Sequence, residues 1–296
     1  MRKHRYSRAE RQSLPWVCLF LLPTLILFIT FYLVPIITVF TTSLSKWDGF
    51  NAPKWNGFTN YVRLFSQDSF MYSLKNLFWW SIIASTAHVG FGVLIAYLLY
   101  EKPKGWKFVR AVFMIPNVIS VAAWAMIYKF VFNNEFGVLN TLVRFFVPSF
   151  SVNWFYESPW AFWAVTITWV FYAVIVTLIV LGDLMAIPKE LLEASQIDGA
   201  SGWKRTKYIM LPLCRTSIGT SVILSVTSRI AMYESIALTT RGGPGDDTMN
   251  LSLVLVRYIT DYNYGMANAT AVIMFLIGIA VLFVINKMFR MNDPLY

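Results

Sequence analysis

Cysteine, histidine and charge are all scarce in this chain of 296 residues. Its two cysteines, Cys18 and Cys214, lie far apart, in or beside apolar runs. That excludes a disulfide framework and a cysteine metal cluster, and leaves buried free thiols as the ordinary reading. The two histidines, His4 and His88, are too few and too distant for a histidine metal site. His88 falls inside an apolar run and reads as a packed or hydrogen-bonded residue. Charged residues make up 14% of the chain, against about 25% in a soluble protein. Three catalytic signatures are missing as well. There is no G-x-x-x-x-G-K-[ST] phosphate loop, no G-x-S-x-G nucleophile elbow and no H-E-x-x-H zinc helix. The chain itself therefore carries no recognisable machinery for nucleotide hydrolysis, acyl transfer or metal-assisted hydrolysis. No extended polar stretch offers a sensor domain.

What is abundant is apolar sequence, at 57% hydrophobic residues with a mean hydropathy of +0.56. A bilayer requires about 20 apolar residues per helix, and six runs meet that need. The first covers residues 16–44, after a basic stretch at 1–15, and is too long for a signal peptide. Pro23 and Pro35 are expected kinks in it. Polar and aromatic residues 45–76 form an outside loop with some helix. The second run covers 77–100, where Gly92 and Ala96 allow close helix packing. The third covers 111–128 and contains Pro116-Asn117. An outside loop follows at 129–158. The fourth run covers 159–187, with an expected break near Gly182-Asp183. The fifth covers 213–238 and the sixth 265–286. The domain plan is a basic N-terminus, a first helix, a five-helix core over 77–286 and a tail over 287–296. With the N-terminus inside, sixteen of the 25 Lys and Arg residues fall on cytoplasmic segments. That is the bias expected of an inner-membrane protein with both termini in the cytoplasm. It accounts for much of the +10 charge without a nucleic-acid partner.

The longest polar interruption in the second half is residues 188–212. Gly199 can adopt a left-handed backbone at no Cβ cost and end one helix. Ser201 can cap the next. The local expectation is a helix–turn–helix knob on the cytoplasmic surface.

These residues resemble the EAA loop of permease subunits in ATP-binding-cassette importers: Glu193-Ala194-Ser195, Asp198-Gly199-Ala200, then Ile209, Leu211 and Pro212. Ser195 and Thr206 depart from the usual small and aromatic residues. The likeness extends along most of the chain. Gly57-Phe58-Thr59-Asn60-Tyr61, Phe136-Gly137-Val138-Leu139-Asn140, Thr240-Arg241-Gly242-Gly243-Pro244 and Gly265 to Ala269 are similar to segments of the maltose-type, carbohydrate branch. Tyr128 stands where tryptophan is frequent. The resemblance implies an all-α integral membrane protein of the type I importer permease fold, with six transmembrane helices. It implies a second permease, favoured as a paralogue, two ATP-binding subunits that hold ATP and magnesium, and an extracellular solute-binding protein. No cofactor is implied for this chain. Glu193, Ala194, Asp198, Gly199 and Ala200 would form the ATPase coupling contact. Gly242, Gly243 and Pro244 would form an extracellular turn. The cargo would be a sugar or oligosaccharide, with glycerol-3-phosphate or another solute as the alternative. An ion-coupled carrier would need a coupling site and often an internal repeat, and neither is evident.

Arg229 lies midway along the fifth run. A charge at the bilayer centre costs about 2.5–3.5 kcal/mol on insertion scales, and usually faces the bundle interior or water. Ser225, Arg229 and Tyr233 are spaced to share one helix face, and Glu234 lies just off it. The face suits a polyhydroxylated or anionic ligand. The alternative is a structural ion pair with an acid of this chain or of the partner permease.

Overall fold

The computed structural model describes residues 8–291 and 293. Arg2, Lys3 and Arg5 of the basic N-terminus lie outside the described residues, as do the side chains of Arg8, Arg11 and Cys18. The protein is helical almost throughout. Four helical segments, none bent sharply, are long and apolar enough to cross a bilayer: Pro15–Ser43, Asp68–Glu101, Trp160–Ala186 and Tyr264–Phe289. Two bent pairs bring the number to six when each is counted as one span. They are Trp106–Val118 with Val121–Val131, at 108°, and Gly202–Leu213 with Arg215–Ile230, at 68°. Because lipid offers no hydrogen bonds, spans must satisfy their own backbone, and irregular segments persist only where other groups do it for them. That rule explains each departure from the expected layout.

The first helix runs through Pro23, and a π turn at Ile29–Leu33 precedes Pro35. Proline lacks the N–H that would bond four residues back, so widening the turn there accommodates it. The end of this helix docks on the sixth span. Phe40 packs edge-on to Phe275, with ring centroids 5.6 Å apart, and Asn268 donates to Thr42 Oγ1 at 2.7 Å. A two-residue hairpin follows, pairing Ser45 with Trp55. Buried Asn60 donates to the carbonyls of Ser43 and Ser45 at 2.7 and 2.9 Å. Gly265 presses on the same place: a Cβ there would collide with the Ser45 carbonyl, and its N–H donates to Trp47 O at 3.1 Å. The segments at 57–61 and 265–269 thus form one joint.

The second span starts at Asp68, earlier than the expected residue 77. Its added turns are polar because they hold the 240–249 turn. Asn76 donates to the carbonyls of Met249 and Asp246 at 2.9 and 3.2 Å, and Ser69 to Asp246 Oδ2 at 3.0 Å. The loop after the third span is built around fully buried Asn140. Its side chain donates to Val152 O at 2.8 Å and accepts from Trp154 Nε1 at 2.7 Å.

Second and fourth spans pack closely at Gly92, whose carbonyl accepts from Thr177 Oγ1 at 3.0 Å. Ala96 is fully buried. The fourth span does not break at Gly182-Asp183, which sits inside the helix Val174–Ala186. It breaks at 171–173, after the helix Trp160–Val170. The carbonyls freed there are taken by distant side chains: His88 Nδ1 lies 3.0 Å from Val170 O, and Trp124 Nε1 donates to Thr168 O at 2.8 Å. His88 is therefore a buried hydrogen-bonded residue. The fifth span likewise ends at Ile230 and resumes as Glu234–Leu238. Ser252 donates to Ile230 O at 2.7 Å and Asn250 to Met232 O at 2.5 Å.

Candidate substrate path and coupling loop

Three breaks meet around one residue. The third span turns through a 3-10 segment, Ile115–Val118, where proline interrupts the helix ladder. Asn117 Oδ1 accepts from the Tyr172 hydroxyl in the fourth-span break at 2.8 Å. Arg229 stands in the last turn of the fifth-span helix Arg215–Ile230. It borders two cavities. One, of about 510 Å³, includes His88, Tyr172, Ser221, Ser225 and Ser228 in its wall. The other, of about 150 Å³, includes Pro116, Trp124, Trp169, Tyr172 and Met232.

The guanidinium lies 4.2 Å from the centre of the Trp169 ring. It donates to Ser228 Oγ at 3.0 Å through Nη2 and 3.3 Å through Nε, and one nitrogen approaches Met232 Sδ at 3.6 Å. A cation over an indole face recovers about 0.5–2 kcal/mol, which offsets part of the membrane cost. Among the described residues Arg229 makes no ion pair; the pair present is Arg205 with Glu101. The structural pair with an acid of this chain is therefore not formed among the described residues. Among the described residues Trp169 Nε1, in a residue 5% exposed, has no acceptor. One strong donor beside the cavity, the indole N–H, thus lacks an acceptor, which costs about 1–3 kcal/mol when buried, while Arg229 lacks only a charged partner.

Ser225 and Arg229 share the cavity wall one turn apart, as expected. Tyr233 does not continue that face. The helix ends at Ile230, so the 3.6-residue period stops before Tyr233, which precedes the next short helix. It is not among the residues lining either cavity. Glu234 is exposed and does not reach Arg229. Trp169 and Tyr172 were hidden among the many aromatics of the chain. The only local hint was that Pro116-Asn117 interrupts a span.

At the other end of the fifth span lies the helix–turn–helix. Lys189–Ile197 ends in a left-handed turn at Gly199, with φ +76°. The N–H of Ala200 reaches Ser195 O at 2.9 Å, and that of Gly199 reaches Gln196 O at 3.0 Å, closing the helix end. Ser201 caps Gly202–Arg205 by accepting from the Lys204 N–H at 3.4 Å. Glu193, Ala194, Asp198 and Gly199 are exposed, and Ala200 is half-buried. Ser195 and Thr206, the two departures, are both buried and bond back to Leu192 O and Gly202 O. They face the protein, where a small polar residue fits. Arg205 ties the loop to Glu101, at the end of the second span, at 3.3 Å. Ile197, at 88% exposed, and Trp203, at 73%, stand out of the knob without cover.

The turn at 240–248 is set by backbone. Arg241, Gly242 and Gly245 take positive φ, and the Gly243-Pro244 bond is cis. Thr248 Oγ1 donates to Gly243 O at 2.9 Å and pairs with Thr240 Oγ1 at 2.6 Å. A Cβ on Gly242 would come within 2.8 Å of Met249 Cε.

Residues 88–295 match the model of the binding-protein-dependent transport system inner membrane component family. The chain belongs to that family. The permease is similar to the trehalose/maltose transport system permease protein MalF of Thermococcus litoralis, 30% identical over 79% of each chain. It is also similar to the probable ABC transporter permease protein YurN of Bacillus subtilis, 29% identical over 92% of this chain and 95% of that one. A solved bacterial ABC transporter involved in the import of the acidic polysaccharide alginate shares the fold, with a TM-score of 0.82 at 22% identity over 97% of this permease and 100% of that chain. The permease is thus a multi-pass membrane transport subunit and not an enzyme. Membership in the family implies a partner permease, an ATPase and a solute-binding protein.

Proposed function

We propose that this permease forms, with a second and paralogous permease, the path for a sugar or oligosaccharide delivered by an extracellular binding protein. Both termini and the 188–212 loop face the cytoplasm. Of two ATPase subunits, which hold ATP and magnesium, one docks on that loop. The observation that carries the path is the meeting of three interrupted spans at Arg229. Interrupted helices beside a cavity near mid-membrane are where transporters bind cargo. Arg229 and Trp169 Nε1 supply donors for sugar hydroxyl, carboxylate or phosphate oxygens, and Ser225 adds a hydroxyl. The sugar class is supported by the printed names of the relatives.

The coupling reading rests on Glu193, Ala194, Asp198, Gly199 and Ala200, gathered on an exposed knob. Glu193 can accept a charge-assisted bond from an ATPase. The small residues let a partner backbone approach, and exposed Ile197 and Trp203 supply apolar contact. The Gly242-Gly243-Pro244 turn fits the extracellular face, where the binding protein delivers cargo.

The test is Arg229→Ala in the complete importer. Losing a charged hydrogen bond to cargo, worth about 1.5–3 kcal/mol, would weaken apparent affinity for uptake by roughly one to two orders of magnitude. Transport with unchanged rate and affinity would remove Arg229 from the path.

A further inference from the structure

We propose that this permease holds the phosphodiester headgroup of an anionic phospholipid in a basic pocket where the second, third and fourth spans reach the coupling loop. The site is separate from the substrate path and rests only on the cytoplasmic placement of that loop. The pocket has a volume of about 380 Å³. Lys102, Arg110 and Lys189 contribute cations from three different segments, and Trp106 forms part of the wall. Among the described residues none of the three cations has a carboxylate within ion-pair distance. Glu101, the nearest acid in sequence to Lys102, is engaged by Arg205 at 3.3 Å. Three like charges around one cavity repel each other unless an anion joins them.

The backbone adds a second observation. Lys102 ends the second span at φ 48° and ψ 51°, a left-handed conformation where glycine is the easy residue. An outlier of this kind points to a role for the side chain it carries. The conformation brings the Lys102 ammonium to 5.9 Å from the Trp106 ring. The remaining wall is apolar, with Leu99, Leu181 and Met185. On the adjoining helix Trp106–Met114, exposed Phe108, Val109 and Val112 accompany basic Lys107 and Arg110. A helix with this pattern rests at a headgroup boundary. Basic pockets between spans on the cytoplasmic side take anionic headgroups. The apolar wall and helix face favour a phospholipid over a free anion, because they accommodate the glycerol and first acyl carbons.

The importer complex, purified whole, would be analysed by native mass spectrometry after exchange with dioctanoyl-phosphatidylglycerol or dioctanoyl-phosphatidylcholine. The wild type should retain phosphatidylglycerol selectively. Each of Lys102→Gln, Arg110→Gln and Lys189→Gln should weaken retention about fivefold, and the triple variant by about two orders of magnitude. A charge-matched control, Lys104→Gln with Lys287→Gln and Arg290→Gln, should retain lipid like the wild type. Met185→Trp, which narrows the apolar wall of the pocket and leaves its charges, should also weaken retention, so the test survives if the triple variant fails to assemble. Three results would overturn the proposal. One is equal retention of the two lipids. Another is equal loss in the charge-matched control. The third is displacement of phosphatidylglycerol by inorganic phosphate at comparable concentration.

Discussion

Replacing Gly92 with alanine should destabilise the permease, although alanine is the better helix former. In an exposed helix the exchange would gain about 1 kcal/mol. Here the added Cβ would lie 2.5 Å from Val176 Cγ1, 2.7 Å from Val176 Cβ and 3.1 Å from Ala173 Cβ. Carbon atoms rest at about 3.5–4.0 Å, so the second and fourth spans would have to part by roughly 1 Å. Overpacking of this kind costs about 1–3 kcal/mol. Separation also stretches the buried bond from Thr177 Oγ1 to the Gly92 carbonyl, now 3.0 Å, at about 1 kcal/mol more. The net effect is a loss of roughly 1–3 kcal/mol once the helix gain is subtracted. Val176→Ala removes the closest atom, Cγ1, but keeps Cβ at 2.7 Å, so it should restore part of the loss. The four variants of this cycle can be compared by thermal unfolding of the purified complex, with coupling of at least about 1 kcal/mol expected for groups in contact. A stabilised Gly92→Ala, or a Val176→Ala that fails to rescue it, would refute the close-contact argument.

Asn250→Ala should destabilise by about 1–3 kcal/mol, because it removes both the cap of the helix Leu251–Thr260 and the donor to the Met232 carbonyl. Hydrogen exchange should show the loss concentrated at 230–234, and uniform destabilisation would speak against it. Asp48 gives a pH prediction. Its carboxylate accepts from Asn51 and from the Phe50 backbone, which lowers its pKa from 3.8 to about 2. The carboxylate is favoured in the fold, so its contribution is complete above pH 3.8 and is lost as pH falls through about 2. Proteolysis of the 47–56 loop should therefore rise in acid for the wild type and be flat over that range in Asp48→Asn.

Features governed by local backbone chemistry were legible in the sequence. The Gly199 turn, the Ser201 cap and the close approach at Gly92 each follow from what one residue type permits. The number of spans followed from the length of apolar runs. The breaks at 171–173 and 231–233 were not legible, and the reason is tertiary. Phe171-Tyr172-Ala173 contains no proline or glycine, and the carbonyls it frees are satisfied by His88 and Trp124. The fifth-span break is satisfied by Asn250 and Ser252. Those partners lie about twenty to eighty residues away in the chain, so no local pattern announces them. The same applies to the start of the second span. Lys75 and Asn76 look like loop residues until the 246–249 carbonyls that Asn76 serves are seen. One of the three residues of the expected substrate face was lost with the fifth-span break: Ser225 and Arg229 stayed together, and Tyr233 did not.

In the proposed function, cargo crosses at this permease and the work arrives through the Gly199 turn. No side chain crowds Gly199, so a β-branched residue there acts through its φ of +76° alone. The direct measurement is sugar uptake and ATP hydrolysis, recorded together in proteoliposomes holding the whole importer and its loaded binding protein. Uptake should occur only when ATP and binding protein are both present, and Gly199→Val should hydrolyse ATP without matching uptake. Normal coupled uptake by that variant, or ion-driven uptake by this chain alone, would contradict the proposed function.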